Sequence, residues 1–307
     1  MPQKQSQSTC KDSQYSFNLN STMREFEEFI THNAPKAQSF YPHYQKALWE
    51  MVLAGGKRFR PALCLCVVGS LAPQMLTNAF LPALAIESIH TYSLIHDDLP
   101  CMDNSPLRRG YPTLHTTYNQ TLALLVGDAL NTYAFELLAN AVLNPQTKVA
   151  LVLELSRSAG AMVLGQVLDC EFENTKLELE KLQCIHHNKT SQLITASLKM
   201  GALIANANDC IVEQLTHFGK NLGLFFQVRD DLIDVLGDSA IEGKALQNDL
   251  LKNTYVNLLG IKGAKKEYKN LIDSMQTQLN ELPNSLSENL RTFLQPYFKD
   301  IESTKEK

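Results

Sequence analysis

Two aspartate clusters, Asp97-Asp98-Leu99-Pro100-Cys101-Met102-Asp103 and Asp230-Asp231-Leu232-Ile233-Asp234, are the residues of this chain best placed by type and spacing to do chemistry. Each follows an apolar stretch, and apolar surroundings leave carboxylates poorly solvated, so the charges need cations to offset them. Basic groups lie downstream of both: Arg108-Arg109 after the first cluster, Lys244 and Lys252 after the second. Carboxylates facing one another with cations around the rim suit Mg²⁺ held between the protein and a phosphorylated ligand. That ion prefers one or two carboxylates plus substrate phosphates to an all-protein cage.

The two clusters differ in spacing. Asp230 and Asp234 are four apart, so a helix sets both on one face, with Asp231 beside them and Gln227 one turn earlier. Three acids at a helix C-terminus work against the macrodipole, which makes a merely solvated helix end the weaker reading. In the first cluster the outer acids are six apart, and a continuous helix would turn Asp103 away from Asp97. Pro100, which cannot donate to the carbonyl four residues back, should end the helix and let Asp103 loop back.

Cations recur elsewhere. Gly55-Gly56-Lys57-Arg58-Phe59-Arg60-Pro61 places three in four residues beside glycines that permit close backbone approach. Lys57 and Arg60 could converge on one anion. Arg108-Arg109-Gly110, Lys189-Thr190 and His90 add further groups. Singly, each is more often a solvated charge or a satisfied core histidine. Together they fit two anion sites, one bridged by metal and one held by Lys, Arg and His alone, because arginine forks match phosphate oxygens.

The elements that must position these residues read as helices. Phe80 to Asp98 is one, Thr121 to Asn140 another, apolar nearly all round and so expected to be central. Others fall near 148–170, 189–205, 211–236 and 250–260. Ala264, Tyr268, Leu271, Met275 and Leu279, then Leu286, Leu290, Phe293, Leu294 and Tyr297, continue the 3.6 period. No alternating strand and no internal repeat is expected. With 307 residues, 44% of them hydrophobic, and only 14 Gly and 12 Pro, the composition fits a large all-α bundle over a turn-rich β fold. We expect a polar, disordered tail over residues 1–20 and a single domain over 21–307. The net charge of −4 gives no sign of nucleic-acid binding. Seven scattered cysteines read as reduced thiols of a cytoplasmic protein. The tail has neither a secretory core nor the Arg content of a transit peptide. No apolar run is expected to span a membrane: Leu122 to Phe135 comes nearest but carries Asp128 and Asn131.

The ordered set of these motifs resembles the trans-prenyltransferases, the polyprenyl diphosphate synthases, from about residue 45 to 260. It comprises Gly-Gly-Lys-Arg-Phe-Arg-Pro at 55–61, His96-Asp97-Asp98 with Asp103, Arg108-Arg109-Gly110 and Gly127-Asp128. It continues through Gly165-Gln166 with Asp169, Lys189-Thr190, Phe226-Gln227 with Asp230, Asp231 and Asp234, and Gly243-Lys244. The four residues between Asp98 and Asp103 are similar to those of the bacterial farnesyl diphosphate synthases. The resemblance implies an all-α bundle around a deep central cavity, a homodimer, and three Mg²⁺ per active site. The metals would be held by Asp97, Asp98 and Asp103 on one wall and Asp230, Asp231 and Asp234 on the other. It implies that Arg108, Lys189 and Lys244, with Lys252 nearby, neutralise an allylic diphosphate. Lys57, Arg60, His90 and Arg109, with the Gly56 backbone, would hold isopentenyl diphosphate. Gln166, Asp169, Thr190 and Gln227 would face the reacting carbons. The implied reaction breaks the allylic C–O bond and joins the resulting cation to isopentenyl diphosphate.

Tyr92 lies five residues before Asp97, about 7.5 Å along a helix, with Ser93 beside it. In the family a bulky residue there closes the pocket for the growing tail, which points to a C15 product, with C20 as the alternative. Pro106, Phe225 and Arg229 depart from the family's usual residues. Rival readings are a His-Asp metal phosphohydrolase, prompted by His96-Asp97, a terpene cyclase, and a non-catalytic prenyltransferase subunit. The phosphohydrolase would need more histidines at helical spacing, and the cyclase would not carry the Lys57/Arg60 set. The subunit would have lost its aspartates.

Overall fold

Several helices open on a side-chain cap. In a computed structural model, which describes residues 17–237 and 253–298, Asn18 accepts the Ser21 N–H and opens α1, Leu19–His32. Leu19 and Asn20 therefore belong to a helix and not to the expected tail. There follow α2, Pro42–Leu53, α3, Phe59–Leu71, and α4, Phe80–Asp97. A two-residue hairpin comes next, β1, Leu107–Arg108, paired antiparallel with β2, Tyr111–Pro112. It is too short for alternation to register in the sequence. Its turn residues Arg109 and Gly110 both have positive φ, 55° and 82°, as the tight hairpin turn requires. The chain continues through α5, Leu114–Thr117, α6, Gln120–Asn140, capped by Asn119, and α7, Pro145–Glu171, capped by Asn144.

After α8, Leu179–His186, the helix does not restart at Lys189 as expected. It widens into a π-turn, His187–Ser191, and runs on as α9, Gln192–Ile204. Then come α10, Asp209–Gly237, α11, Tyr255–Glu281, and α12, Asn284–Leu294. The break expected near residue 260 is a kink within α11 at Gly260, whose φ of 69° suits glycine.

Two apolar clusters form the core. One joins α1, α2, α4, α6 and α7 through Phe26, Trp49, Ile86, Leu130 and Leu155. The other joins α9 to α12 through Leu198, Phe218, Phe225, Tyr268 and Leu290. Helix α3 serves both, Leu65 and Val68 in the first, Leu63 and Val67 in the second. It is buried on every side from Pro61 to Gly69. It, and not α6, is the central helix. α6 buries Leu122, Val126 and Leu130 but leaves Leu124 and Leu125 44% and 52% exposed. Apolar composition cannot distinguish a core face from a face awaiting a partner. α6 and α7 are long and apolar enough to cross a bilayer by length and composition alone, yet each packs one face into the bundle.

Of the three cations at 57–60, Arg58 is structural. At φ 45° its guanidinium turns inward to Glu27 (2.8 Å), Glu87 (2.9 Å) and the Val52 carbonyl (2.6 Å), tying α1, α2 and α4 to the start of α3. Glu87 is 1% exposed. Arg58→Ala strands that carboxylate and should cost about 3–5 kcal/mol. Chemical denaturation measures this, and a loss under ~1 kcal/mol would contradict the assignment.

Candidate active site

The first acidic cluster sits where α4 ends. Asp97 faces a cavity of about 570 Å³. Asp98, one residue on, turns inward, 2% exposed, and accepts from Arg108 Nε at 2.9 Å. The loop then folds back as the spacing requires. The Asp103 N–H donates to the Asp97 carbonyl at 2.9 Å and the Ser105 N–H to that of Asp98 at 3.2 Å. Asn104 takes the left-handed conformation, φ 48°, that this residue type tolerates. Asp103 thereby returns to within 4.0 Å of Arg108. Burial pushes the Asp97 carboxyl up to about 6, with nearby Asp103 adding to the shift and Lys189 opposing it.

The hairpin sends its two arginines apart. Arg108 meets Asp98, while the Arg109 guanidinium donates to the Gly55 carbonyl. Gly56 must be glycine here: its φ is 125°, and a Cβ would lie 2.6 Å from Arg109 Cζ. Arg60 donates to His90 Nε2 at 3.3 Å and lines the same cavity. Burial lowers Arg60 to about 10 despite Glu87, with Arg109 adding to the fall. The same burial, with Arg60 and Arg109 nearby, keeps His90 neutral. Among the described residues Arg60 Nε is buried without a hydrogen-bond partner. Lys57 lies 5.7 Å from the Tyr297 ring centre. Clustered cations at low dielectric, one with a donor unsatisfied, form a site that an anion would complete.

The opposite wall is built on the π-turn, the kind of helix distortion that gathers at functional sites. Gly165 of α7 and Gly223 of α10 clamp it, since a Cβ at either would lie 2.2 Å from the Lys189 backbone N or from Ser191 Oγ. The turn aims Lys189 at the cavity, paired with Asp169 at 2.5 Å. Burial opposes the Lys189 charge, but Asp169, Asp97 and Asp103 hold its pKa above the usual lysine value. Thr190 donates to Gln227 Oε1 at 2.8 Å, and Gln166 to Cys170 Sγ at 3.6 Å.

The cavity thus gathers Asp97, Arg60, His90, Tyr92, Ser93, Gln166, Lys189 and Thr190. The second acidic cluster is not part of its lining. It joins through Gln227, three residues before Asp230. Burial raises Asp230, with Arg229, 3.4 Å away, and Lys57 offsetting part of the shift. Asp231 turns elsewhere: its Oδ2 accepts the Tyr255 N–H at 2.7 Å, at the N-terminus of α11. Burial still pushes it up to about 7. Asp234 is exposed. Lys244 and Lys252 lie outside the described residues. The sequence reading missed the apolar wall of Met162, Val163 and Val167, although their recurrence around Gln166 at helical spacing was available as a signal.

Among the described residues no three His, Cys, Asp or Glu side chains converge closely enough to hold an ion unaided. The donors at the first cluster are hard carboxylate oxygens made costly by burial. They fit Mg²⁺ that shares its coordination sphere with ligand phosphates.

A helical bundle with two acidic clusters, two separated cation sets and a partly apolar cavity is the architecture of a prenyltransferase that handles diphosphates. The chain belongs to the polyprenyl synthetase family, whose sequence model matches residues 41–291, and it is a trans-prenyl diphosphate synthase. It is 41% identical to the farnesyl diphosphate synthase of Haemophilus influenzae over 84% of this chain and 87% of that one. It is 44% identical to the chloroplastic geranylgeranyl pyrophosphate synthase of Capsicum annuum over 73% of this chain and 63% of that one. Among solved structures it is similar to the Helicobacter pylori geranyltransferase complexed with magnesium and isoprenyl diphosphate. That match has a TM-score of 0.84 and 46% identity, and covers 92% of this chain and 97% of that chain.

The raised Asp97 carboxyl carries a signed consequence. Well below pH 4 both folded and unfolded states hold its proton. As pH rises toward about 6 only the folded state keeps it, so native stability falls and the penalty is complete above that value. In EDTA, Asp97→Asn should therefore melt higher than wild type at about pH 7.5, with the gap narrowing as pH falls and closing only below about pH 4. Equal melting temperatures at the higher pH would contradict the burial of this charge.

Proposed function

We propose that the protein condenses isopentenyl diphosphate with dimethylallyl and then geranyl diphosphate, releasing farnesyl diphosphate, C15, and inorganic diphosphate. The observation that carries this reading is Tyr92, 7% exposed, in the wall of the cavity that also holds Asp97 five residues on. A ring at that depth leaves room for a short tail and blocks a longer one. The farnesyl diphosphate synthases among its relatives support it. The similarity to a geranylgeranyl pyrophosphate synthase keeps C20 as the second reading.

Asp97 and Asp103 would hold Mg²⁺ on one wall, with Asp98 behind them fixing Arg108. Asp230, with Asp234, would hold it on the other. Asp231 is better placed to anchor α11. When bound, the metal neutralises charge on the leaving diphosphate. Lys189 and Arg108 orient the allylic diphosphate and stabilise the negative charge that grows on it as the C–O bond breaks. Lys244 and Lys252 complete that set. Lys57, Arg60, His90 and Arg109 grip the diphosphate of isopentenyl diphosphate, whose double bond attacks the allylic cation. A proton then leaves to the departed diphosphate. Gln166, Asp169, Thr190 and Gln227 face the reacting carbons. Tyr92, Met162, Val163 and Val167 exclude the water that would quench the cation.

We further propose a cytoplasmic homodimer. Leu124 and Leu125 on α6, with Val149, Leu153 and Leu164 on α7, are all more than 40% exposed. Those of α7, four and eleven residues apart, fall on one side of the helix, which a second copy would cover. Light scattering should report a dimer, and Leu153→Arg should shift it toward monomer. An unchanged dimer would exclude this face.

The reaction is tested by incubating the protein with isopentenyl and dimethylallyl diphosphates, in Mg²⁺ or EDTA, and sizing the dephosphorylated alcohols. A Mg²⁺-dependent C15 alcohol is expected from wild type and longer alcohols from Tyr92→Ala. A C20 product from wild type would retain the chemistry and overturn the role of Tyr92.

A further inference from the structure

We infer that His96 is a positioning residue for product length: it braces Tyr92 and so sets the depth at which the cavity closes. The inference rests on the proposed role of Tyr92. The two side chains are four apart on α4, hence stacked along one helix face. The rings meet edge to face, centroids 5.6 Å apart at 79°, and both line the cavity. Among the described residues the Tyr92 hydroxyl makes no hydrogen bond, so packing alone holds the ring.

His96 itself is pinned. Its Nε2–H donates to the Leu124 carbonyl of α6 at 2.9 Å. That atom carries the proton, because a carbonyl can only accept. The ring fills a socket that exists because residue 127 is glycine: a Cβ there would lie 2.1 Å from His96 Nε2. α6 thus holds His96 and His96 backs Tyr92. The length stop is a three-part device of Tyr92, His96 and Gly127, drawn from two helices.

The parts make opposite predictions. Removing the imidazole opens space behind Tyr92 and lets its ring lean toward α6, deepening the cavity. Adding a methyl at residue 127 evicts the imidazole from its socket toward the cavity it lines, making it shallower. The effect should approach roughly tenfold, the lower end of what one misfitted group does to discrimination in an apolar pocket.

The experiment is product sizing with the full chain, from dimethylallyl and isopentenyl diphosphates in Mg²⁺, for wild type, Tyr92→Ala, His96→Ala and Gly127→Ala. Product ratios are read beside total turnover, because His96 adjoins Asp97. Slower condensation by itself would raise released C10 but not products beyond C15. The C10 share of Gly127→Ala is therefore compared with that of a wild-type reaction slowed to the same turnover by limiting Mg²⁺. Expected are a ~tenfold larger share of products beyond C15 for His96→Ala and a ~tenfold larger share of released C10 for Gly127→Ala. If Tyr92→Ala lengthens the product while both other variants keep the wild-type ratio, the inference is overturned and the role of Tyr92 stands. If His96→Ala does not fold, Gly127→Ala decides in the same way. If Tyr92→Ala leaves the length unchanged, both fall together.

Discussion

The rest of the structure depends on the cost of holding charge in a half-closed, partly apolar cavity. Within it Asp97 is pushed up to about 6 and Arg60 falls to about 10, each chiefly by burial, and outside its lining Asp231 is pushed up to about 7 in the same way. Acids driven toward neutrality, and Arg60 and Arg109 driven the same way in a separate place, would both be relieved by one kind of ligand. In the proposed reaction a diphosphate would offer negative charge to Arg60 and its neighbours, and a divalent ion would offer positive charge to the aspartates.

Holding such groups apart falls to irregular backbone at the ends and middle of regular helices. The loop after α4 returns Asp103 to Asp97, the hairpin turn at Arg109-Gly110 sends two adjacent arginines to different sites, and the π-turn carries Lys189 and Thr190. Each is fixed by neighbours: Asp98 grips Arg108, Gly56 admits Arg109, and Gly165 and Gly223 clamp the π-turn. Two aspartates that look like ligands serve as fixtures. Asp98 positions an arginine, and Asp231 ties α10 to the start of α11. In both clusters one carboxylate is given to architecture.

Much of this was legible in the sequence, for local physical reasons. Helical period and sparse glycine and proline revealed the bundle, and Pro100 with the six-residue spacing implied the loop that returns Asp103. The burial of Arg58 between Lys57 and Arg60 was not visible, since a run of cations does not say which will find carboxylates 29 and 31 residues away. The π-turn was hidden because its residues keep helical character. α6 was misplaced at the centre because hydropathy counts apolar side chains without knowing which meet solvent. Lys244 and Lys252 fall outside the described residues. The partners of Asp98 and Asp231 depended on contacts 10 and 24 residues distant, beyond what any local pattern encodes.

The central claim is that the aspartates bind metal through the ligand and not by themselves. Calorimetric titration of Mg²⁺ into the protein, alone and saturated with inorganic diphosphate, tests it most directly. Weak binding to the free protein and at least ~100-fold tighter binding in the presence of diphosphate, about 2.7 kcal/mol of coupling, is the expected result. Equal affinity in the two titrations would contradict it, because the buried carboxylates would then form a complete metal site without the ligand.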